Sequence, residues 1–353
     1  MGIRSDATNV PTEEPLHYAH IIIEVTRGGV VESNHRVCAA VRTAQGAGDL
    51  TFGNPRASSF WRSAFKPFQA LAVVEDGADR AFGLDSKDLA VVCASHGGTE
   101  EHIAHVERML AAIGERPAAL YCGPHTPYDA HAADVLSRSG RQPGSLHNNC
   151  SGKHASMLAL ATHHSWDTDG YWRYDHPVQA RVRQLMPDWI EADPETLNWA
   201  TDGCGVPTPF VGLATMATAY ARLATRAAET GSPSAVVVDA MTRHPELTSS
   251  AGREPLSIML ATAGRLLAKE GAEGVLCVAA TDEKWGLALK VEDGARRAVG
   301  PAAVEILSRA GLLRPGERDA LRDLAEVPIR STLNERVGGV RPRAGTQTDP
   351  GDE

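Results

Sequence analysis

The sequence predicts a mixed α/β fold of the α+β kind. An antiparallel sheet is completed by both chain ends and covered by helices, with a helical subdomain inserted between them. Three observations predict it. Strand-like runs lie near the start and again near the end, and the middle is dominated by helical periodicity. Strand and helix do not alternate along the chain, as a doubly wound nucleotide fold would require. No phosphate-cradling glycine loop is present either.

The elements follow in order. Residues 1–15 are polar and read as a tail. His20–Thr26 is rich in β-branched residues, Gly28-Gly29 turns the chain, and Arg36–Arg42 gives a second strand. A helix is expected to begin close to Ser63, because Pro67 is tolerated only near a first turn. The apolar run Leu89–Val92 reads as a strand end that empties, at Cys93, into the glycine loop Ser95–Gly98. In Thr99–Gly114, Ile103, Val106, Met109, Leu110 and Ile113 fall on one helical stripe, with Glu100 and Glu101 in the first turn. Phe210–Glu229 and Pro255–Glu270 read as further long helices, rich in Ala and Leu. Val275–Ala279 is a short apolar run, and Leu287, Leu289 and Val291 alternate with Ala288 and Lys290 before a turn at Asp293-Gly294. Residues 339–353 read as a second tail. That leaves one catalytic domain over 16–338, with its sheet drawn from about 18–55 and 273–300.

Composition narrows the function. The 353 residues are 42% hydrophobic and can bury an ample core. A net charge of -9 argues against nucleic acid, which needs a basic face, and is read as solubility. Apolar runs such as Ile21-Ile22-Ile23 are far short of the ~20 residues of a membrane span. The N-terminus lacks the basic-then-apolar order of a secretory signal, so a cytoplasmic location is expected. Six cysteines in so long a chain make reduced thiols or metal ligands the expectation, not a disulfide framework.

Two stretches carry the chemistry. Ser63-Ala64-Phe65-Lys66 places a serine and a lysine three apart, on one face of a helix. A lysine desolvated by Phe65, Pro67, Phe68, Ala70 and Leu71 has its pKa lowered and can take a serine proton. The same arrangement is common on solvated helix faces. Ser95, in Cys93-Ala94-Ser95-His96-Gly97-Gly98, is either a second site hydroxyl or, like Thr99, a helix cap; Cys93 reads as buried filler. The second stretch is His147–His154 together with Thr201–Gly205. Cys150, Lys153 and His154 stand at relative positions 0, 3 and 4, near a helix start. Cys204 lies between Gly203 and Gly205, which let backbone approach closely. Thiolates suit zinc, with His154 the conventional third ligand by residue type. Two unrelated buried cysteines are the alternative.

These motifs, in their order, resemble the bacterial L-asparaginase II family of rhizobial type. The resemblance covers roughly residues 20–335. It rests on Gly28–Val37, Arg62–Ala70, Cys93–His96, Asn149–His154, Thr201–Cys204, Arg243–Glu246 and Lys290–Gly294. It implies a fold related to serine β-lactamases and glutaminases, a homodimer, and hydrolysis of L-asparagine to aspartate and ammonia. It implies two serine–lysine pairs, Ser63 with Lys66 and Ser95 with a late lysine, for which Lys269 is the best-placed candidate and Lys290 the alternative. It implies zinc on Cys150, Cys204 and, unusually, Lys153. Arg62, His96, His154, Asp202 and Gly203 would contact substrate or orient ligands and water. The chain departs from the family pattern at Gly205-Val206, which bears on the substrate pocket. On this reading Lys66 deprotonates Ser63, Ser63 attacks the side-chain amide, and Ser95 with its lysine passes a proton to the leaving ammonia. Competing expectations are a glutaminase or β-lactam hydrolase, hydrolysis by zinc-bound hydroxide, or a zinc-stabilised binding protein without catalysis.

Overall fold

The computed structural model describes residues 16–46 and 48–344. Strands β1 (Leu16–Tyr18), β2 (Ile21–Arg27), β3 (Val30–Thr43) and β4 (Leu50–Phe52) come first. Strands β5 (Ser58–Phe60), β6 (Asn198–Thr201) and β7 (Pro207–Gly212) flank the helical part. Strands β8 (Leu266–Gly271), β9 (Val275–Ala280), β10 (Trp285–Val291), β11 (Val327–Arg330) and β12 (Arg336–Pro342) follow it. The large sheet runs β11-β12-β2-β3-β10-β9-β8, antiparallel throughout that path, with β4 on β3 and β1 parallel to β4. It is therefore built from both chain ends, as expected. The three short strands form a separate sheet in the order β5-β7-β6.

Local chemistry explains the pieces. Gly28 (φ +55°) and Gly29 (φ +82°) supply the two left-handed residues of a tight β2–β3 hairpin. Strands β8 to β10 read as apolar runs because both faces of the sheet are buried. Cys277 and Ala279 face a core that holds Trp61, Phe65 and Phe68 under the helical part. Leu276 and Val278 face a second core, closed by Ile306 and Leu307 of helix Val299–Arg309. The Thr99–Gly114 stripe forms helix Glu100–Ala112, capped by Thr99. Helix Ser151–His163 starts where the cysteine motif placed it. All six cysteines are free and buried. Among the described residues, no helix is long and apolar enough to cross a membrane.

Several expectations are corrected. Leu89–Cys93 is not a strand end but the last part of helix Ser86–Cys93, started by a capping box between Asp85 and Asp88. A four-residue apolar run fits a buried helix as well as a strand, and the box was the signal that decides. The expected helix Pro255–Glu270 ends at Ala261. Ala263 (φ +49°) and Gly264 (φ +79°) turn the chain, and Leu266–Gly271 pairs with β9 instead. Strand pairing there outweighs the helical propensity of Ala and Leu. Likewise Pro207–Gly212 is strand before helix Leu213–Arg226 begins. Residues 339–342, expected as tail, finish β12 against β2. The remainder of both expected tails, 1–15 and 345–353, lies outside the described residues.

Candidate active site

Residues Arg62–Phe65 form one 3₁₀ turn that leads into helix Lys66–Glu75, with Pro67 in its first turn. Arg62 is left-handed at φ +53°, a conformation that costs a non-glycine residue about 1–2 kcal/mol. Its surroundings hold it there. The Arg62 N–H donates to Thr208 Oγ1 at 2.9 Å and Nε donates to Asp202 Oδ1 at 2.7 Å. Tyr220 Oη donates to the Ala64 carbonyl at 2.7 Å, and Trp61, Phe65 and Phe68 stack beneath the turn. The turn is thus clamped from below and leaves Ser63 on the wall of a cavity of about 270 Å³. That size lies just under the roughly 300 Å³ at which drug-sized pockets begin.

Lys66 and Lys269 are both fully buried, and they converge on one hydroxyl. Lys66 Nζ donates to the Ala94 carbonyl (2.5 Å), the Asn149 carbonyl (3.3 Å) and Ser95 Oγ (3.3 Å). Lys269 Nζ donates to Ser95 Oγ at 2.8 Å and to the Glu270 carbonyl at 3.2 Å, and it pairs with Glu270 Oε1 at 3.1 Å. Of the two late lysines considered, Lys269 is at the site. Lys290 points to the Val291 and Glu292 carbonyls. Ser63 Oγ is not among the partners of Lys66, so the sequence pairing of Ser63 with Lys66 gives way to Ser95 shared by both lysines. Burial pulls Lys269 down to about 8, reinforced by Lys66 and opposed by Glu270.

The cysteine cluster adjoins the same cavity, which Cys150, Cys204, Asp202 and Gly203 line. Asn148 fixes the approach: its Oδ1 accepts from the Cys150 N–H, and its Nδ2 donates to the Cys122 carbonyl. Helix Ser151–His163 then presents Lys153, whose Nζ donates to Cys204 Sγ at 2.9 Å. A hydrogen bond from the Cys150 thiol, together with the Lys153 charge, holds Cys204 well below the usual thiol range despite its burial. The same bond, with burial, pushes Cys150 up. Burial opposes the Lys153 charge, but Cys204 and Cys150 outweigh it and push that lysine up. Two sulfurs and an amine, all buried, are a soft donor set that fits zinc, provided Lys153 gives up its proton on binding.

The remaining expected residues divide. Asp202 Oδ1 accepts from Arg62 Nε and from the Gly203 N–H, which knots the β6–β7 turn to the serine turn. Gly205, at φ +90° with the Tyr121 ring 3.1 Å from its would-be Cβ, is required as glycine; Gly203 has open space before it. His96 and His154 are fully buried and do not line the cavity, which corrects their expected contact with substrate. His96 Nδ1 accepts from the Gly98 N–H, and Nε2 bonds Ser151 Oγ at 2.9 Å. His154 Nδ1 bonds Tyr171 Oη at 2.7 Å. Burial drives both imidazoles well below their usual pKa. They are neutral braces behind the site. Cys93 is buried filler as read, its thiol pushed up to about 12 by burial.

Sequence reading missed His125, Tyr128, Arg253, Glu254 and Glu270 and gave Asn148 and Asn149 no role beyond their motif, although all seven are on the cavity wall. A signal for Glu270 existed: Lys269-Glu270 interrupts the buried run Leu266–Ala268, and paired charges in a buried strand require a reason.

The sequence model of the L-asparaginase II family matches residues 23–342. No curated protein is a significant match to the chain. Similar solved structures include two of Mglu in its native form, one of them in the presence of 4.3M NaCl. Each is 17% identical over 79% of this chain, with TM-scores of 0.36 and 0.37. The chain spans 62% and 65% of those two chains, under two thirds of their length.

Proposed function

The chain belongs to the L-asparaginase II family, and we propose that it hydrolyses the side-chain amide of L-asparagine to L-aspartate and ammonia at its serine–lysine centre. One observation carries this reading. Ser95 Oγ is held between two buried lysines, 2.8 Å from Lys269 and 3.3 Å from Lys66, on a cavity wall that Ser63 shares.

An amide needs an activated nucleophile, a proton route and a place for the oxyanion. Ser63 Oγ attacks the amide carbon. Its proton passes through Ser95 to Lys269, the lysine whose pKa of about 8 lets it accept near neutral pH. Lys66, with the Ala94 and Asn149 carbonyls and Ser95 Oγ around its Nζ, holds Ser95 in place. Collapse breaks the C–N bond, and Lys269 returns the proton through Ser95 to the leaving ammonia. Water then cleaves the acyl-enzyme ester. The N–H groups of His96 and Gly98 are already used, by the Asn149 carbonyl and His96 Nδ1. Oxyanion stabilisation is therefore assigned to the turn around Ser63, at the start of its helix.

Cys150, Cys204 and Lys153 would hold a zinc ion, and a bound zinc supplies Lewis-acid polarisation of a nearby oxygen. Cys204→Ser is expected to weaken zinc binding at least roughly 100-fold, read by metal analysis of the purified protein. The homodimer belongs to the same proposal, on the family resemblance.

One alternative has a specific observation behind it. Ser95 touches both lysines directly and could itself be the nucleophile. Rapid quenching with asparagine, followed by peptide mapping, locates the acyl group. An adduct on Ser63 supports the proposed route, and an adduct on Ser95 reverses the two serines.

A further inference from the structure

Arg62 and Asp202 are hydrogen-bonded to each other, with Nε on Oδ1 at 2.7 Å and Oδ1 also accepting from the Gly203 N–H. A second pair on the same cavity wall, Arg253 and Glu270, is not. Glu270 Oε1 is engaged by Lys269 Nζ at 3.1 Å, but Glu270 Oε2 and Arg253 Nε have no hydrogen-bond partner, although both atoms are buried. The two groups face each other at 3.7 Å, beyond hydrogen-bond reach. Arg253 is steered by the Tyr128 ring, 5.0 Å from its guanidinium carbon, and Tyr128 lines the cavity too. Glu270 is tied to the reacting centre through Lys269, whose Nζ lies 3.1 Å from Glu270 Oε1 and 2.8 Å from Ser95 Oγ. Glu270 itself belongs to a strand paired along its length with β9, so its backbone is fixed.

Buried charged groups are normally both paired and hydrogen-bonded. A cation and an anion side by side, each with hydrogen-bonding capacity to spare, fit a ligand that carries both charges on adjacent atoms. We infer that Glu270 and Arg253 form a clamp for the head of an α-amino acid, with Glu270 accepting from the α-ammonium and Arg253 donating to the α-carboxylate. The inference rests on the asparaginase reading above and deepens it. The clamp selects free amino acids over simple amides and leaves the side-chain amide to reach the serines. Asp202 and Arg62 then act on the turn that carries Ser63 and do not grip the substrate head.

The test uses full-length protein and three probes by titration calorimetry: L-aspartate with both head groups, succinate without the ammonium, and β-alanine without the α-carboxylate. Glu270→Gln is expected to weaken L-aspartate and β-alanine roughly 10- to 100-fold and to leave succinate unchanged. Arg253→Gln is expected to weaken L-aspartate and succinate by a similar factor and to leave β-alanine unchanged. An effect of Glu270→Gln exerted only through Lys269 would fall on all three probes alike. Uniform loss, no loss, or failure of wild-type protein to bind L-aspartate overturns the clamp. If a variant does not fold, wild-type affinities still decide: L-aspartate no tighter than either truncated probe overturns it. Ammonia release from asparagine by wild-type protein is measured in parallel. Release with a uniform affinity pattern sinks the clamp alone, whereas the selective pattern without release sinks the reaction and leaves an amino-acid site.

Discussion

Lys269 is the group expected to set the pH response of the proposed route. Burial disfavours its ammonium and brings it from 10.5 to about 8. The proposed route needs this lysine neutral, so kcat is expected to climb as pH rises through about 8 and then level. Glu270 stabilises the ammonium, so its removal lowers the pKa further. Glu270→Gln should therefore shift the rising limb to lower pH, measured as kcat against pH at saturating asparagine. A limb that stays put, or one that falls through pH 8, removes Lys269 from the role of acceptor. At this scale the sequence named most of the residues that the structure brings together at the candidate site. Ser63, Ser95, Cys150 and Cys204 line one cavity, and Lys66, Lys269 and Lys153 lie behind it within hydrogen-bond reach of Ser95 and Cys204. Which lysine serves which serine was not legible, because that depends on side-chain reach across three elements. Histidines were over-read. His96 uses both ring nitrogens on Ser151 and Gly98, and His154 uses Nδ1 on Tyr171, away from the cavity.

Between elements, the site depends on how closely two helices meet. A Cβ on Gly152 would lie 2.4 Å from the Val91 carbonyl oxygen and 2.7 Å from Val91 Cγ1. Helix Ser151–His163, which carries Lys153 behind Cys150, therefore lies against helix Ser86–Cys93, which delivers Ser95. Gly152→Ala must push the two apart and should cost at least about 1–3 kcal/mol. It should also weaken zinc binding, since Lys153 moves with its helix. Thermal melting and metal analysis of the variant check both, and a variant as stable and as zinc-loaded as wild type contradicts the contact. Two helix starts were legible where a proline and a cap mark them, at Pro67 and Thr99. The β8 strand was not. Leu266-Leu267-Ala268 looks helical until β9 is present to pair with it, and the turn at Ala263-Gly264 carries little sequence signal.

For the whole molecule, the sheet is the platform that brings distant segments together. Helix Leu213–Arg226 lies directly on β10, so close that a Cβ on Gly286 would sit 1.8 Å from the Ala217 carbonyl oxygen and 2.5 Å from the Ala221 nitrogen. These are backbone atoms and cannot rotate away. Gly286→Ala is expected to destabilise the fold by at least about 3 kcal/mol, or to prevent soluble expression; a melting temperature equal to wild type contradicts this packing. Strand runs at both ends of the chain made the sheet legible in outline, because buried strands must be apolar wherever they fall. Its C-terminal limit was misread because Gly338-Gly339 and Pro342 look like linker, whereas β12 pairs with β2 through those residues. At the opposite edge of the sheet, β8 pairs with β9 and brings Lys269 to within 2.8 Å of Ser95 Oγ. The measurement that tests this account most directly is ammonia release from L-asparagine and L-glutamine by the wild-type protein and by Ser63→Ala. Release from asparagine by the wild type is expected, with a loss of at least roughly 10³-fold in kcat for Ser63→Ala. No release by folded, zinc-loaded wild type, or near-normal turnover by Ser63→Ala, would contradict it.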